Sequence, residues 1–210
     1  MVMKKTLSCF CFFLFSLLLF SQQNEDFREV KSFYDQHEVR VNGEFKRRLA
    51  LVKNFEEKVK LEGEYNYFIS KLDSARNQAY LGALIKTRNL EQLAKLGKGN
   101  EMVKKEKVTE KEPDHIAVYP GGQDKLRETV SSSFYFNGTV DHNSILKSIV
   151  SFIVEKDGSI AYVNSEGDNV IFNRQAEISL YLVPEKFIPG QLHGKPVRSR
   201  FQFPITMKFD

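Results

Sequence analysis

From Val197 to Phe209 the chain alternates strictly. The odd positions read Val197, Ser199, Phe201, Phe203, Ile205, Met207 and Phe209, and the even ones Arg198, Arg200, Gln202, Pro204, Thr206 and Lys208. Successive side chains of a strand point to opposite faces, so this pattern describes a strand with one buried and one solvated face. Pro204 then places it. Proline has no N–H to give to a ladder and is confined to edge strands, strand starts and bulges. The C-terminal strand is therefore expected at a sheet edge, where unpaired backbone groups are available to another chain. The same Pro204, with Arg198, Arg200 and Lys208, is also the chemistry that natural edges use to discourage pairing, and the pattern alone leaves both readings open.

At the other end, Lys4 and Lys5 precede an apolar run from Leu7 to Phe20, followed by Ser21-Gln22-Gln23. This is the layout of a secretory signal peptide, expected over residues 1–21. As a helix the run would rise about 21 Å, short of the roughly 30 Å hydrocarbon core, so cleavage is expected; anchoring in the inner membrane by residues 7–20 is the alternative. Cys9 and Cys11 both lie in that segment. A chain cut after Ser21 then has no thiol, which excludes disulfides and cysteine-based metal or redox sites. Without Lys4 and Lys5 there are 29 basic against 27 acidic residues, a net charge of +2. That balance argues against a nucleic-acid partner, which needs concentrated basic surface.

Residues 24–97 read as a helical region. Phe45, Leu49, Val52, Phe55 and Val59 recur every three or four residues, and Phe68, Leu72, Ala75, Ala79 and Ala83 continue after a break. Two amphipathic helices are expected, turning at Gly63 and pairing as a hairpin, with Leu90, Leu93 and Leu96 closing the stripe before Gly97 and Gly99. Residues 98–112 are almost wholly charged or polar and read as a solvated linker of at most about 50 Å.

Residues 113–210 read helix, strand, strand, helix, strand. Leu126, Val130 and Phe134 stripe a short helix that opens after Gly121-Gly122. Ser148, Val150, Phe152 and Val154 share one face of a strand, and Asp157-Gly158 suits the positive dihedrals of a tight turn into a return strand, Ile160 to Val163. Phe172, Ala176, Ser179, Leu180 and Val183 form a second helix, capped by Asp168 or Asn169 and ended by Pro184. The expected fold is α+β: a two-layer α/β sandwich with a small antiparallel sheet in the order α-β-β-α-β, preceded by the α-helical N-terminal region.

Chemistry-bearing patterns are sparse. His37, His115, His142 and His193 stand at no metal-ligand spacing, and no HExxH or CxxC occurs. Ser131-Ser132-Ser133 fits a helix end better than a nucleophile elbow, and Glu166-Gly167-Asp168 lacks the rest of a calcium loop. Gly121-Gly122 opens a helix without a phosphate-loop signature. No enzymatic activity, cofactor or metal is expected.

The elements and their punctuation do resemble a known family. Tyr119-Pro120-Gly121-Gly122 with Leu126, the run Val150 to Ile160 through Lys156-Asp157-Gly158-Ser159, Ala176 and Pro184, Pro189-Gly190, Gly194-Lys195-Pro196-Val197 and Phe203-Pro204-Ile205 come in this order. Together they resemble the C-terminal domain of TonB-type energy transducers, in the variants common in Bacteroidota, over Tyr119 to Phe209. The resemblance implies a periplasmic domain that takes up the TonB box of outer-membrane TonB-dependent receptors as an added strand. The peptide-binding residues it implies are Val197, Arg198, Ser199, Arg200, Phe201, Gln202 and Phe203. In such β-augmentation the backbone ladder supplies affinity, and flanking side chains, here Arg198, Arg200 and Gln202, supply selectivity. The alternative expectation is an envelope assembly protein, in which the same domain pairs with its own copy or with another envelope protein.

Overall fold

The computed structural model describes residues 22–97, 113–136 and 143–209. The expected signal segment, the charged linker and His142 lie outside the described residues. The chain divides into two compact units, Met1–Ala83 and Leu84–Asp210, and the division falls within a helix.

In the first unit, α1 (Gln22–Leu49) and the leading part of α2 (Phe55–Gly97) run antiparallel. Phe27 stacks on Tyr80 and Phe45 on Tyr65, with ring centroids 6.2 and 4.1 Å apart. Tyr65 donates its hydroxyl to Asn42 at 2.7 Å, and Arg76 reaches Glu38 at 2.6 Å. The hairpin forms as expected, but not around Gly63. Residues 50–54 make the turn, because Asn54 caps α2: its side chain accepts from the Glu56 N–H at 2.9 Å, and its carbonyl accepts from that of Lys58 at 3.1 Å. Lys46, Arg47 and Arg48 close α1 while Glu56 and Glu57 open α2, each charge set suiting the dipole end it occupies.

Moving the turn moves the buried face. With α2 unbroken from Phe55, the stripe runs through Leu61, Tyr65, Leu72, Arg76 and Tyr80. Phe55 and Val59 lie about a third of a turn away from it and are exposed, as is Phe68. Leu90, Leu93 and Leu96 are exposed too; at that end the buried positions are Leu84, Thr87 and Glu91.

The second unit is built on a three-stranded antiparallel sheet. Its strands are β1 (Ile145–Val154), β2 (Ile160–Glu166) and β5 (Ser199–Lys208), lying side by side in the order β2-β1-β5. Helix α3 (Gly122–Ser132) precedes the sheet, and α4 (Val170–Tyr181) leads from β2 towards the C-terminal strands. Val150, Phe152, Val154 and Phe203 from the sheet, with Leu126, Val130, Phe172, Ala176 and Leu180 from the helices, are all buried. This is the α+β arrangement of a small antiparallel sheet packed against helices. Asn169, not Asp168, caps α4 by accepting from the Phe172 N–H at 2.9 Å.

Three details depart from the sequence reading. The β1–β2 loop spans Lys156-Asp157-Gly158 with positive φ at Gly158 alone, and Asp157 instead accepts from the Ser159 N–H and hydroxyl. A Cβ on Gly158 would also stand 2.0 Å from the Phe187 carbonyl oxygen. Strand β2 extends to Glu166, beyond Val163. The C-terminal alternation covers two strands: Lys195–Val197 is β4, paired in a hairpin with β3 (Gly190–Leu192), and β5 begins only at Ser199. An extended residue at the crossing, Arg198, keeps the period of two, so alternation cannot reveal where the partner strand changes. The β3–β4 turn is His193-Gly194, both at positive φ, as a two-residue hairpin of the mirror-image type requires. Bridges His115–Gln191 and Val118–Ile188 lay residues 115–118 alongside β3 and the residues just before it. Among the described residues no helix is long and apolar enough to cross a membrane.

Replacing Gly63 by alanine tests the placement of the turn. The position is helical with open space where a Cβ would go, so Gly63→Ala should stabilise the hairpin by about 0.5–1 kcal/mol in urea denaturation. A loss of stability would return the turn to Gly63.

Candidate functional site: the two edges of the sheet

Strand β5 pairs with β1 throughout its length, in the register Val154–Ser199 to Ile145–Lys208. One further hydrogen bond fixes which groups the pairing consumes. The Phe209 N–H donates to the Ser144 carbonyl at 3.0 Å, and these residues continue the same register, so the odd residues of β5 exchange hydrogen bonds with β1. The even residues turn their backbone groups the other way. Arg200, Gln202 and Thr206 therefore face the open side with both N–H and C=O, while Pro204 offers a carbonyl only. The proline sits at a register position where its missing donor leaves the β1 ladder intact.

The same parity sorts the side chains. Ser199, Phe203 and Ile205 are buried, Phe201 and Met207 are half-buried, and Arg200, Gln202, Pro204, Thr206 and Lys208 are exposed. Phe201 stacks on Phe152 at 5.2 Å, and Phe187 meets Phe201, Phe152 and Tyr119 at 5.5, 5.4 and 5.2 Å. This aromatic cluster underlies the first half of β5. Tyr119 donates in turn to the Glu185 carboxylate, and burial first, then that carboxylate, pushes its phenol up to about 12.

The residues singled out by the sequence thus fall into three groups. Val197 belongs to β4. Arg198 crosses between strands with its guanidinium engaged: its Nε donates to Glu155 at 2.9 Å, and its Cζ lies 5.2 Å from the centre of the Tyr162 ring. Ser199, Phe201 and Phe203 direct their backbone to β1 and their side chains inward. Of the seven, Arg200 and Gln202 present both backbone and side chain at the open edge. Thr206, missed by the sequence reading, shares their parity. His115 and His193 lie along the β3 strip, where Asp114 accepts from the His193 N–H at 2.6 Å, and His37 sits on α1 against the Phe33 carbonyl.

The opposite edge, β2, is closed by side chains. Tyr162 and Val163 together stand opposite Phe152 in a bulge, with Tyr162 in the left-handed region at φ 56°. That conformation costs a non-glycine residue roughly 1–2 kcal/mol. Glu91, from the last turns of α2, accepts the Tyr162 N–H at 2.6 Å and the Tyr181 hydroxyl at 3.2 Å, and that hydroxyl itself accepts from the Val163 N–H at 3.3 Å. Two residues on, Glu177 of α4 accepts from the Ser165 N–H at 3.0 Å and its hydroxyl at 2.8 Å, and is paired with Arg88 at 2.6 Å and Arg174 at 3.3 Å. Lys95 lies 4.6 Å from the centre of the Tyr162 ring. Residues 84–97 are thus part of the second unit, joined to it through Glu91, Arg88 and Lys95. Burial raises the Glu91 carboxyl above its ordinary range against the opposing N–H of Tyr162, hydroxyl of Tyr181 and cations Lys95 and Arg88, and burial also drives the Tyr181 phenol upward.

Comparison with protein-family models, with curated proteins and with solved structures found no match to the chain.

Two substitutions test the closed edge. Because folding raises the Glu91 pKa, its contribution is full below the unfolded carboxyl value and is lost as the pH rises through the folded one. Glu91→Gln keeps an acceptor and removes the charge, so its stability relative to the parent should improve between about pH 4 and pH 7. A difference flat across that range would contradict the assignment. Glu91→Leu strands two donors and should cost about 1–3 kcal/mol.

Register parity is tested on β5 itself. Gln202→Pro removes an outward N–H and should leave stability within about 1 kcal/mol of Gln202→Ala, whereas Phe203→Pro, which also removes a ladder donor, should cost about 3 kcal/mol or more beyond Phe203→Ala. Equal losses in denaturant titrations would invalidate the parity.

Proposed function

We propose that the protein works in the periplasm as a TonB-like binding module, taking the TonB box of outer-membrane receptors as a strand added to β5. It would do so within, or as an accessory to, energy-coupled transport across the outer membrane. The observation that carries this reading is the contrast between the two edges. On β2 the N–H groups of Tyr162, Val163 and Ser165 are satisfied by side chains, while β5 is the outer strand of the sheet with Arg200, Gln202 and Thr206 facing outward. An extended peptide can meet those groups by β-augmentation, with no chemistry required of the module. The aromatic cluster of Phe152, Phe187 and Phe201 gives the edge a firm floor, so the backbone groups are held ready instead of being ordered on binding. Selectivity then falls to Arg200 and Gln202 on the solvated face, since Arg198 is already held by Glu155 and Tyr162.

The test is an NMR titration of the isotopically labelled protein with N-terminal peptides of outer-membrane receptors from the same organism, at up to about 1 mM. The amides of Arg200, Gln202 and Thr206 should shift together and saturably, and Gln202→Pro should abolish the response. Unmoved amides along β5 at the highest concentration would sink the proposal.

A further inference from the structure

A sheet of three strands has two edges, and here the second is closed by the end of a helix. The last turns of α2 close β2 through polar contacts: the Glu91 carboxylate on the Tyr162 N–H, the Arg88–Glu177 pair, and Lys95 over the Tyr162 ring. Of the large apolar side chains on residues 84–97, only Leu84, at the start, is buried; Ile85, Leu90, Leu93 and Leu96 are exposed and add little to the closure. A cover held by a few directional contacts opens more readily than one held by buried apolar area, because water can replace each contact.

Opening would change β2 in two ways. Tyr162 loses the acceptor of its N–H, and Glu177 loses one of its two arginines, leaving Arg174. The opened edge would then hold the uncapped Tyr162 N–H beside the Val163 and Ser165 donors, still held by Tyr181 and Glu177, together with an under-compensated carboxylate and the exposed Glu166 close by. The strand best suited to it is already present in the molecule. The outward side of β5 carries the carbonyls of Arg200, Gln202, Pro204 and Thr206, and its exposed side chains include the cation Arg200.

We propose that β2 is a second strand-docking edge, kept closed by Glu91 and Arg88, and that opening it lets it accept the β5 edge of a second copy of this chain. Such a contact joins two different surfaces, so it extends head to tail and does not stop at a dimer. The last turns of α2 are then the device that keeps the two edges of the sheet from finding one another. The proposal needs only the openness of β5 and does not depend on peptide capture.

The experiment is sedimentation velocity on the full chain across a range of concentrations, with no peptide present. Glu91→Pro removes the carboxylate and breaks the helix at its point of contact. Its mean mass should rise with concentration as a series of oligomers, while the parent does not, and adding Gln202→Pro should restore the parent behaviour by taking a donor from β5. A Glu91→Pro chain that sediments like the parent would overturn the proposal, and so would oligomers that survive Gln202→Pro. Glu91→Leu gives a second reading in an unbroken helix. Hydrogen exchange at Tyr162 should accelerate by about tenfold or more, and unchanged protection would equally overturn the proposal.

Discussion

Backbone hydrogen bonding in a three-stranded sheet governs the rest of this structure. Only β1 has partners on both sides; β2 and β5 each have one ladder and one row of polar groups that must go elsewhere. The chain solves the two rows differently. On β2 the donors of Tyr162, Val163 and Ser165 are met one by one by Glu91, Tyr181 and Glu177. On β5 they are left to solvent, and Pro204 deletes one donor in the middle of the row. Everything that distinguishes the two edges of the second unit stems from that asymmetry.

The closure of β2 also explains where the unit begins. A left-handed tyrosine in a bulge is unfavourable alone by about 1–2 kcal/mol, and a buried carboxylate without donors by more than that. Together they offset one another: the bulge aims an N–H at Glu91, and that N–H lets the carboxylate remain in a buried place. Because Glu91 lies on α2, the two conditions are met only when residues 84–97 are packed against β2 and α4. The charged stretch at 98–112 is a break in composition, whereas the division between compact units falls before it, at Leu84.

Which features are legible in the sequence depends on the same physics. The strands and helices of residues 113–210 can be read because each buries one face, so period and punctuation coincide: Val150, Phe152 and Val154 on β1, Phe172, Ala176 and Leu180 on α4. The edge position of β5 is legible from Pro204. Features set by polar groups and by partners escape. Gly63 looks like a turn because glycine is the usual breaker, yet Asn54 supplies a cap and glycine is tolerated within a long helix. The stripe of α2 is misread because its inward positions include the half-buried Arg76 and the buried Thr87 and Glu91, which an apolar count passes over. The one available signal is that Tyr80, Leu84, Thr87 and Glu91 keep helical spacing, and a carboxylate at such a position requires a donor. Of the candidate site, Arg200 and Gln202 can be read from alternation, whereas the engagement of Arg198 with Glu155 and Tyr162 depends on three segments meeting and leaves no local trace.

The geometry of β5 further limits what an added strand could gain. Arg200 and Gln202 offer two donors and two acceptors, after which Pro204 supplies an acceptor alone before Thr206 resumes the pattern. At about 0.5–1.5 kcal/mol net per hydrogen bond, the four before the proline contribute about 2–6 kcal/mol, against an association cost of at least about 4 kcal/mol. A ladder of that length cannot hold a peptide firmly. Apolar contact must supply the rest, and the half-buried Phe201, stacked on Phe152 and edge-on to Phe187 beside the open groups, is where a docking strand would find it. A strand added at this edge would therefore be held weakly and exchange readily.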